Sequence, residues 1–536
     1  GRRIELSEIE YQIRHLFRLE QVVVAVKPIG GTEYIVAYLT KAVGLEEQQL
    51  KYELKFCLPE YMIPQVFIFL DEFPYTPSGK VSRRSLPEPT VDHLAKADYK
   101  APTNPIEAAI VKIWEKVLGA SQIGVKDDFF ALGGNSLKVL KVQNAYHQVF
   151  GVEIKIRDLF SQNTPKEQAL LIGQAEERRF SQIPKIEERA DYPLSAGQTR
   201  LWLLSQMEEE GSAYTMPFVF EMPVDYDIPA LQKAMDALVA RHESLRTVFR
   251  QDAQGEIRQF IHPATEKYIE IEYRDLRERE EPRLLLQDFV TEDAFRPFDL
   301  AEGPLLRLQV FHLAERSSVI YFNMHHIVSD GWSMNILQRD LSALYVHFSQ
   351  KAPLALPDLN IQYKDYVDWL NQQLLTDQYR RHKTYWQERL ACVLPVLDLP
   401  ASKTRPRRKT NNGKAVRAYI KPTALRSANA FIEENGGSLF ILLASLWNLL
   451  FFRYTGNKDI LLGTPVFGRN HSDLNDQIGF FVNTMVLRIP VAPTDSFQTY
   501  YTKVKDLVLT DFEHQNYPFS NLVEDLAVKG NPGRSI

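Results

Sequence analysis

The sequence predicts a multidomain chain: a small α+β part, a compact helical bundle, and a large part in which helices and strands alternate as α/β or α+β. Three observations lead there. At roughly 150 residues per domain, 536 residues suffice for three or four domains. The hydrophobic pattern changes character twice, from mixed to helical and back to mixed. Each change falls on a stretch with linker character, one bearing prolines between Pro87 and Pro102, the other charged and poorly patterned between Glu176 and Arg189. The expected parts are therefore 1–90, a linker at 91–103, 104–178, a linker at 179–190, and 191–536.

In the first part, Ile9, Ile13, Leu16 and Phe17 recur at helical spacing. The runs Gln21 to Val26 and Glu33 to Leu39 are rich in β-branched residues and are separated by Pro28, Gly30 and Gly31, which predicts a pair of strands. A loop dense in turn residues, Pro74 to Lys80, closes this part. In the second, Ile106, Ala109, Ile110, Ile113, Trp114 and Val117 mark one amphipathic helix. Leu137, Leu140, Val142 and Ala145 mark another that stops near Gly151, and a third follows Thr164-Pro165. In the third part, Val319 to His326 reads as a strand, and Asp330-Gly331 turns the chain into a helix from about Trp332 to Phe348. Leu439 to Phe452, the most apolar stretch, is too short to span a bilayer and contains Ser445 and Asn448; it reads as a buried core helix.

Composition narrows the function. Forty-five per cent hydrophobic and 24% charged residues are ordinary for a globular protein and exclude a disordered or collagen-like chain. The 63 basic and 68 acidic residues leave a net charge of −5, so no nucleic-acid partner is expected. Cys57 and Cys392, far apart in sequence, exclude a disulfide scaffold and a cysteine-built metal site. Without a signal segment or spanning helix, a cytoplasmic location and no membrane partner are expected. The chain starts at Gly1 without Met and stops at Ile536 without a terminating helix, so a fragment with its last domain cut short is expected.

Three strings carry chemistry. In Asp128 to Leu137, Gly133-Gly134 lets the backbone turn sharply and places Ser136 at a helix start, where free N–H groups and the dipole favour an attached anion; the plainer reading is an N-cap serine. In Tyr321 to Ser333, His325 and His326 lie in succession on a strand and so face opposite sides; one is expected to act on substrate or solvent, the other to be structural. Their divergence, without a nearby Cys or second His cluster, speaks against a metal, and none is expected. In Pro77 to Arg84, Lys80 sits on a Gly loop, where a solvated surface lysine is the plain reading.

The longer strings resemble known families. Phe129, Leu132 and Leu137 around Gly-Gly-Asn-Ser make Asp128 to Leu137 resemble the attachment site of a peptidyl carrier domain, a four-helix bundle. That resemblance implies phosphopantetheine joined to Ser136, a phosphopantetheinyl transferase as partner, and an aminoacyl or peptidyl thioester as cargo. His325-His326-Ile327-Val328-Ser329-Asp330-Gly331 resembles the His-His-x-x-x-Asp-Gly signature of the condensation domains of nonribosomal peptide synthetases, which have the two-lobed chloramphenicol acetyltransferase-like fold. Five more segments match in order: Ser195 to Trp202, Arg241 to Phe249, Tyr363 to Tyr366, Ile478 to Thr484, and His514 to Phe519. By this resemblance His326 faces the tunnel and takes the proton of the acceptor amine or orients it. Asp330 is structural with Arg246 as its ionic partner, and His325 and Gly331 pack and turn. Trp332 and Ser333 support the tunnel, and Asn483 lies near it from the other lobe.

Leu58 to Pro64, Pro77 to Arg84 and the opening Gly1 to Glu10 resemble the C-terminal subdomain of an adenylation domain, which implies that Lys80 meets the substrate carboxylate and the α-phosphate. ATP and Mg would act only with an upstream adenylation core that this chain lacks. Gly197, Thr199 and Ser82 depart from the usual residues of their motifs. The order of parts implies amide formation, with Ser136 holding the donor and a downstream carrier domain presenting the acceptor. Two alternatives stand beside it: a same-fold ester-forming acyltransferase or epimerase-type domain, and an inactive carrier and docking fragment.

Overall fold

A computed structural model describes residues 5–527 apart from 20, 30–31, 41–46, 55–56, 59–61, 65, 75–80, 89–98, 131, 176–181, 208–212, 223–224, 265–267 and 401–412. Lys80 and the centre of the first linker lie outside the described residues. By their contacts, residues 1–134, 163–170 and 416–436 form one compact unit, and residues 135–162, 171–415 and 437–536 form another.

In the first unit, α1 (Leu6–Phe17) precedes the hairpin strands β1 (Val22–Ile29) and β2 (Thr32–Thr40), α2 (Glu47–Leu54) and β3 (Val66–Leu70). β1 and β2 pair antiparallel, and β3 adds parallel to β2. The period of two divides the β-branched runs between two cores. Val22, Val24, Ile35, Ala37 and Leu39 pack with Ile9 and Ile13 of α1 and with Leu50 and Leu54 of α2. Val23, Val36 and Tyr38 face the other way, onto Phe73 and Leu86. The helix and hairpin follow the sequence pattern, whereas α2 and β3 lacked a clear sequence signal. Further along, α3 (Pro105–Leu118) begins with Pro at its first position, is capped by Asn104 Oδ1 accepting the Glu107 N–H at 2.9 Å, and ends at Gly119 with φ +73°. Trp114 of α3 is fully buried, donates to Gln168 Oε1 at 3.2 Å and meets Phe129 edge-on at 4.8 Å.

The remaining helices of this region are α4 (Ser136–Phe150), α5 (Ile156–Ser161) and α6 (Pro165–Gln174), which with α3 make four among the described residues, as the carrier resemblance implied; residue spacing alone marked three, because α5 is too short to show periodicity. Residues 182–190, expected as a linker, run extended and pinned. Ile183 N–H donates to Asp473 Oδ2 at 3.0 Å and Ile186 N–H to Asp365 Oδ1 at 2.9 Å.

The second unit continues with β4 (Tyr192–Pro193), α7 (Ala196–Met207), β5 (Thr215–Met222), α8 (Ile228–Arg241), β6 (Thr247–Gln251), β7 (Ile257–Ile261), β8 (Glu272–Asp275), α9 (Pro282–Phe295), β9 (Leu306–Ala314), β10 (Ser317–His325) and α10 (Gly331–Gln350). Then come α11 (Tyr363–Gln373), α12 (Asp377–Arg389), α13 (Pro422–Asn435, part of the first unit), α14 (Leu439–Thr455), β11 (Asp459–Val466), β12 (Asn483–Pro490), α15 (Phe497–Glu513) and α16 (Phe519–Asp525). The main sheet has the order β5-β10-β9-β8. α8 and α10 pack on one face, where Leu238 and Leu337 meet Leu308 and Phe322, and α9 covers the other beside Phe311 and Tyr321. Burial on both faces matches the unbroken apolar run Val319 to Phe322 of β10, whereas β9 carries Arg307, Gln309 and His312 among its apolar residues. Two smaller sheets, β4-β7-β6 and β11-β12, complete the unit.

Two expectations are corrected here. The strand before Asp330 ends at His325, and His326–Val328 form a 3-10 turn instead, because His325 Nδ1 accepts the Ile327 N–H at 3.1 Å and curls the chain. α14 is not a buried core helix: Trp447 is 54% and Tyr454 64% exposed, while its polar residues Ser445 and Asn448 point inward. Asn448 Nδ2 donates to Ile489 O at 3.1 Å and to Tyr500 Oη at 2.8 Å, so hydrogen bonding rather than hydrophobicity selects the inner face.

Candidate functional site

The 3-10 turn fixes the two histidines in opposite states. His325 is 1% exposed. Its Nδ1 accepts from a backbone N–H, so its proton resides on Nε2. Burial, and secondarily the neighbouring His326, push its pKa down to about 3, so the ring is neutral at physiological pH. His326 is partly buried, and its Nδ1 lies 2.8 Å from Ser329 O. A carbonyl oxygen only accepts, so Nδ1 carries a proton, and in the neutral ring the lone pair is on Nε2. The ring of Phe480 stands edge-on to His326 with centroids 5.1 Å apart.

Asp330 is wholly buried and caps α10, accepting the Ser333 N–H at 2.8 Å and the Ser333 hydroxyl at 2.7 Å. Its other oxygen accepts the Phe481 N–H at 3.2 Å. The ionic partner is Arg469, whose Nη2 lies 3.1 and 3.3 Å from the two carboxylate oxygens. The expected pairing with Arg246 is therefore corrected: Arg246 is held by Glu243, 3.6 Å away, and by the carbonyl of His262. Sequence reasoning missed Arg469, whose only signal was a lone arginine after Gly468 ahead of the Ile478 to Thr484 string. Gly331 opens α10, and a Cβ added to it would meet nothing within 4 Å, so no steric need for glycine is evident there. Trp332 Nε1 donates to Asn475 O at 3.1 Å, and Ser333 Oγ, its hydrogen committed to Asp330, accepts the Gly479 N–H at 3.2 Å.

Hydrogen bonds link the six sequence strings in series. Gln198 Nε2 donates to Ile327 O at 3.2 Å, linking the first string to the histidine string. Ser195 Oγ lies 3.1 Å from Tyr363 Oη, which donates to Phe480 O at 2.7 Å; the tyrosine hydrogen is thus committed, and the serine donates. Ser244 Oγ donates to Ile478 O at 2.6 Å. Asn483 Nδ2 donates to Gln515 O at 2.9 Å and Tyr517 O at 2.8 Å, while its Oδ1 accepts the Phe519 N–H at 2.9 Å. Asn483 thereby knots the last two strings together beside a small cleft that it lines with Gly197, Phe480 and Phe519.

Ser136 is the first residue of α4, and the cap is Asn135, whose Oδ1 accepts the Lys138 N–H at 3.0 Å. The plain reading of Ser136 as the capping residue is thus corrected; its side chain lies outside the described set. Gly133 has φ +86°, and a Cβ on Gly134 would come within 2.3 Å of the Phe129 ring, so both glycines are required by the turn ahead of the helix. With no acidic residue in its first turn, this helix start fits a phosphodiester on Ser136. α4 and α5 lie against the second unit's other elements: Asn144 Nδ2 donates to Arg469 O at 2.9 Å, Lys141 Nζ sits 4.4 Å over Trp332, and Arg157 Nη2 donates to Thr510 Oγ1 at 2.8 Å. Among the described residues no group of three or more His, Cys, Asp or Glu could hold a metal ion, and no helix is long and apolar enough to cross a membrane.

Comparison with known proteins bears on the same residues. Residues 188–536 match the family model described as condensation domain, and residues 108–172 match that described as phosphopantetheine attachment site. The latter indicates a covalent phosphopantetheine cofactor and implies a phosphopantetheinyl transferase and carrier interactions. The chain is 36% identical over 536 residues to tyrocidine synthase 2 of Brevibacillus parabrevis, covering 100% of this chain and 14% of that protein. It is 37% identical over 538 residues to bacitracin synthase 3 of Bacillus licheniformis, covering 100% of this chain and 8% of that protein. The chain thus spans a small part of these relatives' length. Among solved structures it is similar to the X-domain from teicoplanin biosynthesis, with a TM-score of 0.60 and 25% identity over 66% of this chain and 78% of that one. The first condensation domain of the calcium-dependent antibiotic synthetase, in complex with a substrate analogue, shares the fold with a TM-score of 0.53 and 21% identity over 64% of this chain and 79% of that one.

Proposed function

The chain belongs to the condensation-domain family, and on that premise we propose that it forms an amide between a donor acyl thioester and an acceptor amine within a nonribosomal peptide synthetase. The observation that carries this reading is the tautomer of His326. Its Nδ1–H is committed to Ser329 O, so Nε2 is available as a proton acceptor on a ring held by a buried frame. When bound, phosphopantetheine supplies the thiol on which the donor acyl group is held, and Ser136 is the residue we assign to it. The amine nitrogen bonds to the acyl carbon as the carbon–sulfur bond breaks. The amine's proton passes to His326 Nε2 and on to the departing sulfur. Amine attack on a thioester is downhill, so holding the amine at His326 contributes alongside proton transfer.

Asp330 and Arg469 act as positioning residues that fix the turn carrying His326, and His325 is packing. Because Ser136 precedes the condensation segment in one chain, its cargo is the donor, and a downstream carrier domain presents the acceptor. Lys80 is assigned to adenylate formation with an upstream adenylation core.

The test loads the chain from an acyl-coenzyme A with a promiscuous phosphopantetheinyl transferase and offers an aminoacyl N-acetylcysteamine thioester, with the amide read by mass spectrometry. His326→Ala is expected to lower the rate about 10²–10⁴-fold with Ser136 loading unchanged. A rate within about threefold of the parent overturns the role of His326.

A further inference from the structure

Phe480 touches both the cleft and the reacting histidine. The cleft has a volume of about 60 Å³, room for only a few water molecules. Phe480 and Gly197 line it, as do Asn483 and Phe519, but His326 does not. Phe480 is also the ring that meets His326 edge-on at 5.1 Å. It has this place because residue 197 is glycine: a Cβ there would lie 2.8 Å from Phe480 Cε1 and 3.2 Å from Cδ1, closer than van der Waals contact permits. The backbone of Phe480 is fixed from both sides, its carbonyl by Tyr363 Oη at 2.7 Å and the next N–H by Asp330 at 3.2 Å. The side chain is therefore the part able to yield.

The cleft adjoins a second one between α4 and the segment from Phe467 to Asn470. The two share Gly468, Asn470, Gln515 and Asn516, and the second is lined by Leu140, one turn along α4 from Ser136. Ser136 thus opens the helix that walls this second cleft.

We propose that Phe480, seated in the space that Gly197 leaves, is the gate that sets how large a donor acyl group can reach His326. The gate rests on the amide-forming reading above. Gly197 acts through Phe480, as a positioning residue: it holds the ring across the path, and a methyl group in its place would move the ring.

The experiment loads the chain with a small donor, alanyl, or a large one, tryptophanyl, and measures single-turnover amide formation with one fixed acceptor. The ratio of large-donor to small-donor rates is the readout. Phe480→Ala is expected to raise this ratio at least tenfold, and Phe480→Leu, which keeps an apolar side chain there, to raise it by less. Gly197→Ala is expected to change the ratio in the parent and to have no effect in the Phe480→Ala background. An unchanged ratio in Phe480→Ala, with the small donor still turned over, overturns the gate alone. Equal effects of Gly197→Ala in both backgrounds overturn its action through Phe480. A parent chain inactive with every donor overturns the amide-forming reading and the gate with it. Unfolding midpoints of all variants show whether a changed rate reflects a lost fold, which would move both donors together and leave the ratio untouched.

Discussion

Asp330 holds four donors at once: the Ser333 N–H and hydroxyl, the Phe481 N–H and the Arg469 guanidinium. Both charges are buried, with side-chain exposures of 0% and 2%, so removing one leaves the other uncompensated in a dry interior. Asp330→Asn and Arg469→Ala are each expected to destabilise the condensation part by about 3–5 kcal/mol, read as a shift of the urea midpoint, and Arg246→Ala by clearly less. A loss for Arg246→Ala matching that of Arg469→Ala would restore Arg246 as the partner. His325 makes a pH prediction. Its folded pKa, about 3, lies below the ordinary histidine value of 6.5, so between those values the unfolded chain binds the proton and the folded chain does not. Stability therefore rises with pH through this window and is lost as pH falls. From pH 8 to pH 5 the loss is about 2 kcal/mol, and comparison of the parent with His325→Gln at the two pH values isolates it. An equal pH dependence in both proteins would contradict the buried neutral ring.

Among elements, α14 shows where sequence pattern misleads. Its apolar content is nearly unbroken, so hydrophobicity alone does not select a face. The inner face is set by Asn448, which serves the Ile489 carbonyl and the Tyr500 hydroxyl. Asn448→Ala leaves buried polar groups of both without that partner and is expected to cost about 1–3 kcal/mol in the urea midpoint. Trp447→Ala on the outer face is expected to stay within about 0.5 kcal/mol. The reverse order would mean that the exposed face is packed in solution. α10 was readable because it carries a start signal, Asp330, whose side chain accepts the N–H three residues on, and α4 because of its apolar spacing, although its cap is Asn135 and not Ser136. β8, four exposed residues, and α5, six residues, had too little period to be seen.

Across the whole chain, the proposed carrier and condensation chemistries rest on different elements, the N-terminus of α4 and the turn after β10. They are expected to separate by mutation. Ser136→Ala is expected to take up no phosphopantetheine on incubation with coenzyme A and a transferase, with an unfolding profile like the parent's, while His326→Ala gains the full mass increment. An increment that persists in Ser136→Ala would move the attachment elsewhere. Hydrogen bonds tie together strings whose linked residues stand 32 to 234 positions apart, all within one unit. Gln198, Tyr363 and Ser244 each reach across to another string through one or two hydrogen bonds and Asn483 through three, and those bonds need specific side chains at specific places.

The sequence by itself determined the order of the carrier and condensation segments, the helices with start signals and full periods, and the family, because these depend on local spacing and on strings of fixed residues. Only the tertiary structure decided that Arg469 and not Arg246 meets Asp330, that α14 turns its polar residues inward, and that Phe480 rests on Gly197 against His326. Such pairings join residues 139 and 283 positions apart, and which of several chemically equal partners is chosen depends on how the backbone brings them together. No local pattern records that.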